Sequence, residues 1–130
     1  MCKYASVVLL VTPQGIPLVR NPKKFDAPVW KLPGGKSEVG ETAAECAVRE
    51  MFEEVGIRLS VGDLEIVYQK DKGAYVQTIF RAVLPLLPPL KEMGDEWEEI
   101  RVFKPQEVLA DRENFLYKHV SIIEPILQKL

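Results

Sequence analysis

Residues 35–57 read GKSEVGETAAECAVREMFEEVGI, and Gly34 precedes them. Two adjacent glycines predict a turn, because a residue without a Cβ admits positive φ and close backbone approach. Thr42 followed by Glu45 predicts a capping box, so a helix starts there. Gly56 predicts its end in the left-handed conformation. Within that helix Ala44, Ala47, Val48, Met51 and Val55 recur at the spacing of a core-facing stripe. Glu50, Glu53 and Glu54 fall within roughly a 100° arc of their own. Like charges at this spacing destabilise a helix by roughly 0.2–0.5 kcal/mol per pair. Solvated carboxylates tolerate that cost, so an exposed acidic face is one reading. A site for a hard divalent cation with oxygen ligands is the other.

The wider pattern separates the two readings. It runs Gly35, five residues, Glu41, seven residues, then Arg49-Glu50-Met51-any-Glu53-Glu54-any-Gly56-Ile57. This resembles the signature of the Nudix (MutT-like) hydrolases at every fixed position. The resemblance is sharp over residues 30–57 and schematic elsewhere. It implies a hydrolase of a diphosphate linked to another moiety, working with Mg²⁺ or Mn²⁺. It also implies an α/β fold, an α/β/α sandwich with a mixed central β-sheet. In the family the carbonyl at the position of Gly35 joins the metal with the three glutamates. An arginine at the position of Arg49 orients them, and Glu41 helps hold the site together. The family often draws a further carboxylate from a later loop.

The 130 residues suffice for one domain with one core, and a 47% hydrophobic content argues against disorder. Seventeen basic against 19 acidic residues leave a net charge of −2, so no basic excess points to a nucleic-acid polymer. Cys2 and Cys46 form neither a disulfide framework nor a metal spacing and read as free thiols of a reducing compartment. The run at residues 6–11 is too short for a signal-peptide core or a membrane span. The run at 82–90 is broken by Pro85, Pro88 and Pro89. The expectation is a cytoplasmic protein with no membrane partner.

Residues 3–11 read as a strand, and Pro13-Gln14-Gly15 as a turn into a second strand at 16–20, so the pair resembles a hairpin. Residues 21–28 form a polar loop, and 29–32 a brief strand delivering the chain to Gly34. Strands at 64–70 and 75–84 are joined by Asp71-Lys72-Gly73, a hairpin signal. An acidic segment at 91–99 surrounds Trp97. A strand at 100–103, a short helix from Pro105 and a helix over 113–130, kinked or restarted at Pro125, complete the chain.

The acidic segment is the expected source of the later carboxylate, with Glu99 or Glu98 first and Glu96 next; a solvated charge run is the plain alternative. Glu53, central in its cluster, is a candidate base as well as a ligand. Arg20, Lys23, Lys24, Lys31 and Lys36 lie near the entry loops, and Arg20 or Lys31 could meet phosphate. Trp30 and Tyr75 could stack on a base, although Trp30 beside the glycines suits packing better. A tyrosine near the spacing of Tyr75 resembles the dinucleoside-polyphosphate branch. The proline spacing of the ADP-ribose branch finds Lys72 or Gly73 instead, and the NADH-cleaving motif is absent. His119, expected on the surface or a helix face, reads as structural. The expected substrate is a nucleotide: a nucleoside triphosphate, including oxidised ones such as 8-oxo-dGTP, or a dinucleoside polyphosphate. A non-catalytic nucleotide sensor is the competing reading. A homodimer through the C-terminal helix or a strand edge stays open.

Overall fold

The computed structural model describes residues 3–23 and 28–130. The calls on Cys2 and Lys24 lie outside the described residues. Val- and Leu-rich β1 (Tyr4–Val11) runs parallel to β5 (Val76–Val83) at the centre of a four-stranded mixed sheet. Beyond them lie β3 (Gly34–Lys36) and β4 (Glu65–Asp71), giving the order β3-β1-β5-β4. A separate two-stranded ladder pairs β2 (Ile16–Arg20) with β6 (Glu99–Phe103). The helices are α1 (Ala43–Val55), α2 (Pro105–Ala110) and α3 (Tyr117–Leu127).

Strand alternation divides the core into two layers. On one face of the central sheet, Val8, Leu10, Phe80 and Ala82 pack against Ala47, Met51 and Val55 of α1. On the other, Leu9 and Ile79 join Leu18, Phe103, Val108, Phe115, Val120 and Ile123. The central sheet is thus sandwiched between α1 and a layer built from β2–β6, α2 and α3. This is the expected α/β class, with its strands split between a mixed sheet and a second ladder.

Several local expectations change. The turn at Thr12–Gly15 forms, with the Gly15 N–H donating to Thr12 O at 3.1 Å and Thr12 Oγ1 donating to Gly15 O at 2.7 Å. It does not close a β1–β2 hairpin, because β2 leaves to pair with β6. Residues 29–32 make only isolated bridges, Val19 to Lys31 and Trp30 to Phe115. Gly34 and Gly35 lie in a strand, not a turn, and pair with Val7 and Ser6 of β1. At Gly34 φ is +152°, and a Cβ would lie 2.0 Å from Ser6 O, so this edge pairing needs a glycine. The last helix begins at Tyr117; Phe115 still reaches the core from the extended segment ahead of it. Pro125 sits inside α3 without ending it. The β4–β5 hairpin turns at Asp71-Lys72-Gly73 as expected, with the Gly73 N–H donating to Asp71 Oδ1 at 2.8 Å.

Candidate active site

Helix α1 has the ends its sequence predicts. The Glu45 N–H donates to Thr42 Oγ1 at 3.1 Å, and the Thr42 N–H donates to Glu45 Oε1 at 2.9 Å. Gly56, at φ 85°, donates its N–H to Phe52 O at 3.0 Å. Fixed ends and a buried Ala47–Met51–Val55 stripe set the direction of every glutamate on the helix.

The three glutamates do not form a solvated face. Glu54 is only 6% exposed. Its Oε1 accepts from the Gly34 N–H at 2.7 Å. Burial is the main cause that pushes its carboxyl up to about 8; Gly34 and Lys31 oppose that shift, and Glu50 and Glu98 add to it. Burial likewise raises the Glu50 carboxyl, against the pull of Arg49.

Arg49 is the organiser. Its Nη1 donates to Glu50 at 2.9 Å and to Glu53 at 3.0 Å. Its Nε and Nη2 grip Glu41 at 2.8 and 3.0 Å, and Nη2 reaches Lys36 O at 3.1 Å. Glu38 lies 3.4 Å from Nε. The Glu41 carboxyl is held below its usual range, chiefly by the hydrogen bond from Arg49. A planar guanidinium with five donors can serve several carboxylates at once, which an ammonium cannot.

The loop at residues 91–98 brings a second set of acids. Three contacts dock it on the end of α1. The Lys91 N–H donates to Val55 O at 3.0 Å, Lys91 Nζ to Glu53 O at 2.9 Å, and the Asp95 N–H to Glu53 O at 3.1 Å. Lys91 Nζ also pairs with Asp95. A cation at the carbonyl end of a helix is favoured by the helix dipole. The result is a pocket of about 60 Å³ lined by Glu50, Glu53, Glu54, Asp95, Glu96 and Glu98. It adjoins a cleft of about 450 Å³ that adds Asn21, Lys31, Gly34, Gly35 and Lys36.

Among the described residues no three acids already converge as a ready ion cage. Arg49 holds Glu50 and Glu53, Gly34 holds Glu54, and Glu98 Oε1 accepts from the Glu96 N–H at 3.0 Å. The donor set nevertheless fits a hard divalent cation. It is all oxygen and partly desolvated, and burial, with Glu50 and Glu98 adding to it, raises the cost of ionising Glu54 until a cation offsets it.

Not every expected residue falls here. Glu99 points to the β2–β6 ladder, bound by Arg20 through Nε at 3.2 Å and Nη2 at 3.1 Å. Glu99 opens β6 opposite Arg20, whereas Glu98, just ahead of the strand, lines the pocket. Arg20 is therefore committed to Glu99 and stacks 4.5 Å from the Trp30 ring rather than lining the cleft. The Gly35 carbonyl accepts from Cys46 Sγ at 3.4 Å, which turns it toward α1. Gly35 itself lines the cleft and also leaves room there: a Cβ would lie 2.9 Å from the Glu50 carboxylate. Tyr75 lines a different cleft, of about 630 Å³, with Tyr4, Glu38 and Asp71 among its neighbours. Lys31 does line the cleft. His119 is buried, and its Nδ1 accepts from the Leu32 N–H at 3.2 Å, fixing the segment that leads to Gly34. Lys91, Asp95 and Asn21 were not singled out by sequence; only the acidic run hinted at Asp95.

Comparison with known proteins bears on the family and the fold. The model of the NUDIX domain matches residues 3–122. A Bacillus subtilis (strain 168) protein, provisionally named an 8-oxo-dGTP diphosphatase, is 42% identical over 76 residues, covering 58% of this chain and 49% of that one. The oxidized purine nucleoside triphosphate hydrolase of Danio rerio is 29% identical over 115 residues, covering 84% and 74%. The chain thus spans about half the length of the Bacillus relative. A MutT structure from work on Aliivibrio salmonicida and Vibrio cholerae superposes with a TM-score of 0.69 at 20% identity, over 98% of this chain and 100% of that one, a likeness of fold. No helix among the described residues is long and apolar enough to cross a membrane. With the signature intact from Gly35 to Ile57 and the domain match covering nearly all of it, the chain belongs to the Nudix family.

Proposed function

We propose that the protein is a divalent-cation-dependent hydrolase that cuts the diphosphate linkage of a nucleotide, with nucleoside triphosphates, oxidised purines among them, as the favoured class. The observation that carries this reading is the pocket where Glu50, Glu53 and Glu54 of α1 meet Glu96 and Glu98 of the loop, beside a cleft that offers Lys31 and Lys36. The named relatives support the substrate class. Glu50, Glu53 and Glu54, with Glu98 or Glu96, would hold Mg²⁺ or Mn²⁺, which supplies neutralisation of the diphosphate oxygens and a more acidic water.

The chain's own residues do the rest. Arg49 orients Glu50 and Glu53. Glu53 takes the proton as a water oxygen bonds to phosphorus and the bridging P–O bond breaks, and the leaving phosphate carries the bond's electrons away. Lys31 and Lys36 attract the polyphosphate into an otherwise acidic site. The dinucleoside-polyphosphate reading rested on Tyr75, which lines another cleft. A binding-only sensor leaves the full set of acids without a task.

The test is phosphate or pyrophosphate release from a nucleotide panel with Mg²⁺, with and without EDTA. Metal-dependent turnover that Glu53→Gln abolishes, with folding intact, is expected. Binding without turnover on every compound would favour the sensor.

A further inference from the structure

The Trp97 side chain stands outside both core layers. Among the described residues it is the only non-glycine with positive φ, at 69°. A residue with a Cβ is strained in that region, and such strain concentrates at functional sites. Its side chain does not repay the strain by burial, since the residue is 62% exposed. The other tryptophan, Trp30, is 5% exposed and packs edge-on against Phe103 with Arg20 and Arg101 over its ring.

The turn that carries Trp97 is firmly held. The Trp97 N–H donates to Gly94 O at 3.0 Å, and the Gly94 N–H donates to Glu98 O at 3.0 Å. A Cβ on Gly94 would lie 2.2 Å from Glu98 Oε1 and 3.0 Å from Glu54 O, so the turn sits hard against the end of α1. The neighbours on either side, Glu96 and Glu98, line the acidic pocket. Trp97 is therefore carried between two lining residues, just outside the pocket itself, on a backbone fixed relative to Glu53 and Glu54. Lys23 Nζ lies 5.0 Å from the ring centroid, and Asn21, two residues earlier, lines the adjoining cleft. A cation over the ring helps orient it.

Resting on the function proposed above, we infer that Trp97 is a stacking platform for the base of the nucleotide whose polyphosphate enters the acidic pocket. An exposed indole on a rigid turn offers a flat apolar face to any base, so it adds affinity for nucleotides with little choice among them. Finer choice of base then belongs to the cleft.

The test compares two probes in the presence of Mg²⁺: a methylene-bridged nucleoside triphosphate, which has a base, and inorganic tripolyphosphate, which has none. Affinities are read by titration calorimetry for the wild type, Trp97→Gly and Trp97→Phe. Glycine accepts φ 69° without strain, so Trp97→Gly keeps the turn and its melting temperature. The expected result is a roughly 10- to 100-fold loss of affinity for the nucleotide in Trp97→Gly. Tripolyphosphate binding stays unchanged, and Trp97→Phe recovers most of the loss. Unchanged nucleotide affinity in Trp97→Gly overturns the platform, as does an equal loss for both probes. Wild-type protein that turns over nucleotides yet binds them no better than tripolyphosphate overturns the platform alone. Wild-type protein that binds neither probe overturns the proposed function with it.

Discussion

The backbone N–H of Gly34 donates to Glu54 Oε1 at 2.7 Å, joining the edge strand of the sheet to the helix that carries the acids. The bond holds a buried carboxyl whose proton comes off only near pH 8. The folded state binds that proton more tightly than the unfolded chain, where the ordinary value is 4.5. Its stabilising effect is full below about 4.5 and is lost as pH rises toward about 8. His119 works in the opposite sense. Burial lowers it to about 3 from 6.5, so its contribution is present above 6.5 and is lost as pH falls. The metal-free protein should therefore melt lower at pH 8 than at pH 6. Glu54→Gln, which keeps an acceptor for Gly34, should flatten that alkaline decline in a pH series of thermal melts.

With Glu54 in the proposed cation site, binding would need it ionised and so compete with the same proton. The rise in melting temperature on adding Mg²⁺ should be larger at pH 8 than at pH 6. An equal rise at both values would place the ion away from Glu54.

Arg49 spans Glu41, Glu50 and Glu53 with one guanidinium. Arg49→Lys keeps the charge and loses the fork. We expect turnover to fall by roughly 10- to 100-fold, as for other groups that orient ligands, with the circular-dichroism spectrum unchanged. Turnover within twofold of wild type would show that the acids hold their places unaided.

Two glycines of the signature stretch make a paired test. Gly35→Ala pushes a methyl to within 2.9 Å of the Glu50 carboxylate, whose flexible end can move aside. Stability should change little and turnover should drop. At Gly40 a Cβ meets nothing within 4 Å, but φ is +82°. Gly40→Ala should cost about 1 kcal/mol of stability, the left-handed penalty, and leave turnover intact. Thermal melts and initial rates on the two variants check both.

Helix α1 was legible in the sequence almost to the residue, because capping, periodicity and the closing glycine are local signals that agreed. The expected trio of acids lies on one pocket, though sequence could not tell that Glu54 is buried. What failed was non-local. Whether β2 pairs with β1 or β6 depends on layers assembled by distant residues, and the turn at Gly15 fits either. Glu98 and Glu99 are chemically alike, and only the strand register at Arg20 sends one to the pocket and the other to the guanidinium. Lys91 carries no motif; its part emerges when residues 91–98 fold back on the end of α1. Trp97 read as one aromatic in an acidic run until its backbone conformation was known.

The proposed function stands on α1 and the acidic loop at residues 91–98 forming together a cation site for a diphosphate. Anomalous diffraction from a crystal soaked with Mn²⁺ and a non-hydrolysable nucleotide tests it most directly. Manganese is expected between Glu50, Glu53 or Glu54 and the loop acids Glu96 or Glu98, touching the nucleotide's diphosphate. Manganese bound elsewhere, with those acids turned to solvent, would contradict it.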